Sequence, residues 1–584
     1  MKELKYINRF FFKYKWQLLF GLFITVVATL FKLLVPMKIG DSVDIIRAGL
    51  EKEITDINYI KSTMLTNIFM VVGAALLSAF FTFLMRQTII VVSRYIEFDL
   101  KNEIFEQYEK LSLDFYKQNR TGDLMSRISE DVSSVRMYAG PALMYSTSTV
   151  TLFIVLIIYM LFKAPILTLY TIAPLPLLSY AIYKLSISIH HKSTIVQQYL
   201  SKLTTATQES FSGIRVIKAY GIENRHYKSF KHLAENSKER NIDLAKVQAF
   251  FFPLMLLLIG LSNILVVYIG GKQYIDGKLA LGTVVEFLIY VNMLSWPVAS
   301  VGWITSMIQR AEASQKRINE FLKVIPNIQC PNTQETYIKG EITFENVSFI
   351  YPDTGIRALK NIHLNIKKGE TIAIMGNTGS GKSTLLELIG RLYDPTKGII
   401  KIDDKNLREI NLKSLRQSIG YVPQDSFLFS DSIFNNIRFG KDNATQNEVE
   451  RAAKQAAVHE NIIGLDNGYE TILGERGITL SGGQKQRVSI ARAFIKDPTI
   501  LLLDDSLSAV DTETEEKILN SLRAVSTNKT TLIVSHRVST AKNADKIIVL
   551  NKGEIIQQGT HKQLIESDGY YKELYAKQLL EKEN

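Results

Sequence analysis

The chain has 584 residues, a net charge of +12, 46% hydrophobic and 22% charged residues, and a single cysteine, Cys330. That length argues for several domains, and one cysteine excludes an internal disulfide. The excess Lys and Arg flank apolar runs and fill long loops instead of lining one soluble face, so the charge reads as membrane-flanking and not as a nucleic-acid surface.

The N-terminus sets Lys2, Lys5, Arg9, Lys13 and Lys15 among apolar residues and lacks a small-residue cleavage site. It is predicted to be an amphipathic elbow on the membrane surface, not a removed leader. A spanning helix needs ~20 mostly apolar residues. Six segments qualify: Gln17–Met37, Thr66–Val92, Ala142–Phe162, Ile166–Tyr183, Ala249–Ile269 and Val284–Met307, the last interrupted by Trp296-Pro297. Long polar stretches, Ser93–Gly140 and Lys184–Lys246, separate spans two from three and four from five. They read as helices, as in the stripe Ile96, Leu100, Ile104, Tyr108, Leu111. Both are rich in Lys and Arg, which places them and both termini in the cytoplasm. The acidic connection Lys38–Thr63 falls outside. Each long segment holds a break suited to a short docking helix, within Phe115–Asp123 and Gly213–Gly221.

Within the spans, ionisable residues are candidates for function. Lys32 and Glu286 sit at similar depth and are a predicted pair, structural or substrate-facing. Arg86 reads as a residue snorkelling to the headgroups. Thr25, Thr29, Thr147, Ser148, Thr151, Tyr159 and Asn292 are candidates to line a cavity or to pack helices.

Past Cys330 the pattern changes to a soluble α/β domain. Residues Gly340–Phe349 alternate as a strand does. The apolar strand Ile372–Met375 runs into Gly376-Asn377-Thr378-Gly379-Ser380-Gly381-Lys382-Ser383-Thr384 and then an apolar helix. This is GxxxxGK[ST] in its strand–loop–helix setting: backbone N–H groups and a helix N-terminus wrap phosphates, Lys382 adds charge, and Ser383 suits Mg2+. Downstream, Thr499–Leu503 is an apolar strand ending in Asp504, the carboxylate expected on the Mg2+ side. Between the two lies Leu480-Ser481-Gly482-Gly483-Gln484 before a helix.

Together these motifs resemble the ATP-binding cassette (ABC) family. Tyr351 resembles the aromatic that stacks on adenine, Gln424 the Q-loop glutamine that also serves Mg2+, Gly474–Gly477 the X-loop, Ser508–Asp511 the D-loop and His536 the switch histidine. The resemblance implies a fold: a six-helix α transmembrane domain with long cytoplasmic extensions (residues 1–320, with the elbow and two coupling helices), a linker (321–338) and an α/β P-loop nucleotide-binding domain (339–584). It implies ATP and Mg2+ as ligands. Cassettes pair head to tail, so Ser481, Gly482, Gly483 and Gln484 are expected on nucleotide held by a partner. Membrane domain before cassette resembles a type IV half-transporter, multi-pass in the bilayer of a bacterial inner membrane with the cassette cytoplasmic. Gly122–Arg127 with Asp131, and Gly213–Gly221 with Glu223, fall where that family has its coupling helices.

One departure stands out. The family usually has Glu after the strand's Asp; this chain has Asp505, about 1.5 Å shorter. A misplacement of about 1 Å costs roughly a hundredfold, so the chain's own site, with Asp505, His536, Gln424 and Lys382 as its catalytic set, is expected to hydrolyse ATP slowly. The intact Leu480–Gln484 then resembles the degenerate-site subunit of bacterial heterodimeric multidrug exporters. The expectation is ATP-driven export of an amphipathic small molecule beside a second half-transporter, a heterodimer in preference to a homodimer, with no nucleic-acid partner. Alternatives are a lipid flippase, a peptide exporter, an exporter-fold importer, or a mainly regulatory ATP-binding subunit. A soluble cassette protein acting on ribosomes or DNA is disfavoured by the apolar spans and by the single cassette.

Overall fold

The computed structural model describes residues 2–583 apart from 52, 55, 331, 475, 476, 478, 479, 508 and 509. It divides into a helical unit, Met1–Tyr108 with Gly122–Val324, and an α/β unit, Glu109–Thr121 with Ile325–Asn584.

In the helical unit the N-terminal segment expected to be the elbow is a 3-10 turn, Glu3–Ile7, followed by a short helix, Asn8–Lys13. Its apolar side, Leu4, Ile7 and Phe10, is buried, while Tyr6 and Arg9 bind Glu103 and Lys13 Nζ donates to Asp99 at 2.6 Å. Among the described residues, five helices are long and apolar enough to cross a membrane: Lys15–Leu50, Ile57–Lys110, Thr121–Lys163, Glu223–Ile275 and Leu281–Leu322. All five, at 36 to 54 residues, are longer than a bilayer requires, which is how they reach beyond it. The fourth expected span, Ile166–Tyr183, is divided into Pro165–Ile172 and Pro174–Ser212. Pro174 has no N–H to donate, so the ladder breaks there although Ala173 keeps helical dihedrals. Pro141 sits in a second irregularity, a π-type turn at Tyr138–Ala142.

The first and last spanning helices cross at two glycines. A Cβ on Gly282 would stand 2.1 Å from the Gly40 carbonyl oxygen. At that crossing Gly282 N donates to Asp44 Oδ1 at 2.6 Å, so a carboxylate of one helix satisfies an orphan N–H at the start of the other.

The α/β unit has ten strands: β1 (Ile342–Ile350), β2 (Arg357–Ile366), β3 (Thr371–Gly376), β4 (Lys397–Ile402), β5 (Lys405–Asn406), β6 (Ile419–Val422), β7 (Ile500–Asp504), β8 (Thr530–Val534), β9 (Lys546–Asn551) and β10 (Glu554–Gly559). An antiparallel sheet runs β2-β1-β4-β5, and a second sheet runs β10-β9-β3-β8-β7-β6. In the second, β9, β3, β8, β7 and β6 are parallel and β10 is an antiparallel edge. Strands β7 and β8 are buried at every residue, as parallel strands covered on both faces must be. Ile372 pairs with Leu532, and Leu532 with Leu502. The carboxyl ends of β3, β8 and β7 therefore open side by side, where ligands of such sheets sit.

Candidate functional site

Each of those three strand ends delivers part of the site. After β3 the chain turns at Gly376, Gly379 and Gly381 with φ of 144°, 78° and 101°. Side chains are excluded at two of them: a Cβ on Gly376 would lie 2.1 Å from Leu550 O, and one on Gly381 would lie 2.5 Å from Ala358 O. The loop feeds the helix Lys382–Ile389, whose N-terminal N–H groups make an anion cradle. Lys382 is folded onto this cradle, Nζ donating to Gly376 O at 3.0 Å and Asn377 O at 2.9 Å. Burial pushes its pKa down, opposed by Asp505 and Asp504. Ser380 Oγ is buried in the same loop without a hydrogen-bond partner. An oxygen-rich anion fits: it offers that hydroxyl an acceptor and the lysine a better one.

At the end of β7, Ser383 Oγ donates to Asp504 Oδ1 at 3.0 Å, which joins the two residues suited to Mg2+. Burial raises the Asp504 pKa, and a dication would reverse that. Asp505 follows at φ 45°, its N–H bonded to Val534 O of β8 at 3.1 Å. Among non-glycine residues, Asp and Asn are the ones that tolerate this left-handed region best. His536 follows β8 with its ring open to solvent; partial burial and then Lys382 hold its pKa below the ordinary value, against Asp505. Gln424 lies just past β6 in an exposed loop.

Tyr351, on the loop after β1, anchors on the P-loop helix. Its hydroxyl donates to Glu387 Oε2 at 2.9 Å and lies 2.9 Å from Thr384 Oγ1. Lys117, from the short helix Leu113–Gln118 of the same unit, stands 4.9 Å above the Tyr351 ring and 5.1 Å from that of Tyr393. Leu113 packs on the core beside it. The helix in the segment expected to dock within Phe115–Asp123 is thus centred earlier, and Thr121–Ser126, the first stretch of the long helix Thr121–Lys163, follows it. The second, Gly213–Gly221, is the helix Ile214–Tyr220, closed by Gly221 at φ 62°.

Ser481 begins the helix Gly482–Ile495 with a capping box: Ser481 Oγ accepts from Gln484 N at 3.3 Å and Gln484 Oε1 from Ser481 N at 2.9 Å. Ser481 and Gly482 are exposed, so this helix start faces outward. Parts of the X-loop, Glu475 and Arg476, and of the D-loop, Ser508 and Ala509, lie outside the described residues.

Several supporting residues carry no motif. Glu515, 2% exposed, accepts from Arg537, from Thr540 Oγ1 at 2.6 Å and from Ser539 Oγ at 3.1 Å. Arg537 also donates to Val510 O at 3.3 Å, so the residue after His536 is tied to the helix that follows the D-loop. Gln578 clasps the same loop with both ends of its amide: Oε1 accepts from Val538 N and Nε2 donates to His536 O, each at 2.8 Å. On the same C-terminal helix, Tyr570–Glu583, Tyr570 OH donates to Asn377 Oδ1 of the P-loop at 3.1 Å.

In the helical unit Glu286 does not meet Lys32. It accepts from Tyr290 OH at 2.8 Å and lies 3.9 Å from Lys163 Nζ. Matching depth along two helices does not fix which way each side chain faces. Lys32 and Arg86 instead line one groove together, with Ser78, Thr82 and Met293.

Comparison with known proteins agrees with this geometry. The model of the ABC transporter transmembrane region matches residues 18–298, and that of the ABC transporter domain matches residues 359–508. The multidrug resistance-like ATP-binding protein MdlA of Escherichia coli K12 is 35% identical over 573 residues, covering 98% of this chain and 96% of its own. An ATP-dependent lipid A-core flippase of Syntrophus aciditrophicus is 36% identical over 488 residues, 83% of this chain and 80% of its own. The solved structure of a bacterial Atm1-family ABC exporter with ATP bound superposes with a TM-score of 0.80 at 28% identity, over 97% of this chain and 98% of that one.

Proposed function

The chain belongs to the ABC transporter family, and from that premise we propose that it is one half of a dimeric exporter of amphipathic small molecules whose own ATP site turns over slowly. The multidrug resistance-like relative supports the substrate class; the flippase relative supports a lipid-like substrate as the second reading. The cassette is assigned to the cytoplasmic face by the Lys- and Arg-rich segments around it.

In this reading Tyr351 stacks the adenine on the ring face opposite Lys117. Lys382 exchanges its bonds to Gly376 O and Asn377 O for the β- and γ-phosphates, and Ser380 gains an acceptor. Ser383 and Asp504, already hydrogen-bonded, are the pair that would hold Mg2+, with Gln424 approaching from its loop. Mg2+ supplies charge neutralisation of the phosphates. Asp505 orients the attacking water, and His536 holds the γ-phosphate. Ser481 to Gln484, with an exposed capped helix start, serves nucleotide held by the other half.

The observation that carries the slow site is Asp505: a carboxylate one methylene short, on a backbone anchored to Val534 O, has little freedom to advance. That bond argues against a backbone adjustment that would restore its reach. The intact Leu480–Gln484 supports a role in completing a partner's site. The test is ATP turnover and nucleotide trapping by the purified chain alone and mixed with a candidate second half. The expected result is weak turnover alone and strong turnover mixed, with trapping at the partner's P-loop. Full turnover by the chain alone, unchanged in Asp505→Asn, overturns it.

A further inference from the structure

Resting on the exporter reading, we propose that the groove lined by the first two spanning helices and the last binds the headgroup of an anionic amphiphile, held between Lys32 and Arg86. Both lie within long apolar helices, where a charge facing lipid is expensive, so intramembrane cations face water or a ligand. Both are exposed, and both line the same two adjoining spaces, of about 660 and 210 Å³. Together those spaces fall in the range of small-molecule sites, roughly 300–1,000 Å³. Among the described residues no Asp or Glu lines either space and neither cation forms an ion pair. Glu286, the acidic residue expected to pair with Lys32, is engaged by Tyr290 and Lys163.

Two like charges in one groove repel, and a phosphate, sulfonate or carboxylate relieves both. Arginine offers a planar fork to such an anion, and lysine a point charge. Thr82 adds a hydroxyl. The rest of the lining is suited to an apolar body: Phe83 and Met293 in the larger space, Trp296 in the smaller. A cationic amphiphile would meet the same walls with the wrong electrostatic sign.

The test uses the full chain in phosphatidylcholine nanodiscs, with its partner half where one is needed for assembly. Binding of dodecyl phosphate, dodecyl maltoside and dodecyltrimethylammonium is measured at equilibrium without ATP, and phosphatidylglycerol is added to the disc in a parallel arm. Dodecyl phosphate is expected to bind at least about tenfold more tightly than dodecyltrimethylammonium, the worth of one charge-assisted bond. That preference should weaken with salt. Lys32→Gln with Arg86→Gln should abolish it, Lys32→Arg should keep it, and Lys32→Glu with Arg86→Glu should reverse it, a gain that misfolding does not produce. Competition by phosphatidylglycerol identifies a bilayer lipid as the source of the anion; its absence identifies a soluble amphiphile. Equal binding of all three headgroups, or a preference that survives the double glutamine variant, overturns the inference. Since binding is read without nucleotide, the export reading can fail in turnover assays without deciding this one.

Discussion

Truncating Glu515 to Ala tests how the loop carrying His536 is held. The carboxylate is buried at 2% exposure and accepts from Arg537, Ser539 and Thr540. Removing one member of a buried pair costs about 3–5 kcal/mol, because the remaining charge is left uncompensated. The Arg537 side chain is 39% exposed, so water screens part of that loss and about 2–3 kcal/mol is expected. For a unit of this size that lowers the cassette melting temperature by roughly 4–12 °C. Glu515→Gln, which keeps the shape and one acceptor oxygen, should lose about half as much, since charge-assisted bonds are roughly twice as strong as neutral ones. Calorimetry of the full chain in detergent gives the global figure, and hydrogen exchange over the peptide from β8 through Ala541 localises it. Because Arg537 adjoins His536, the partnered transporter should also lose turnover. The cycle with Arg537→Ala decides the cause: coupled residues depart from additivity by about 0.5–3 kcal/mol. Additive losses, or protection of β8 and the loop after it unchanged in Glu515→Ala, refute the proposed tie.

Three further outcomes follow from the same geometry. Asp505→Glu should raise turnover at this chain's own P-loop by about ten- to a hundredfold. It should also lower the melting temperature, because a left-handed φ of 45° costs a longer side chain about 1–2 kcal/mol; single-site trapping and calorimetry read the two effects separately. Gly282→Ala drives a methyl into the Gly40 backbone and should destabilise the helical unit by about 1–3 kcal/mol, seen as loss of monodisperse protein on heating in detergent. His536 has a lowered pKa in the folded chain, so the stability it contributes is present above the unfolded value of ~6.5 and lost as pH falls through the lower folded value. Melting temperature should therefore drop more between pH 7 and pH 5 in the native chain than in His536→Gln.

The parts legible in the sequence are those whose chemistry is local. The P-loop needs glycines at fixed offsets, and Ser481 with Gln484 caps its helix through neighbours three residues apart. The apolar runs that build the long helices were also readable, because they depend on hydropathy alone. Azimuth was not: Lys32 and Glu286 face different neighbours, and Arg86 lines a groove together with Lys32. Pro174 marked a break within the fourth span that an apolar count passes over. Glu515 and Gln578 resemble ordinary surface residues in the sequence; only β8, delivering His536 between them, gives them a task. Lys117 belongs to the same class, since its partner aromatics lie more than two hundred residues away in the chain.

The C-terminal helix has a consequence for reading variants of this gene. Tyr570 and Gln578 come after every recognisable motif, yet they hold Asn377 and the backbone around His536. A nonsense or frameshift change just before Tyr570 would leave the whole series from P-loop to switch histidine intact on paper. The resulting chain would pass a motif search while lacking the brace that fixes two of those motifs relative to each other.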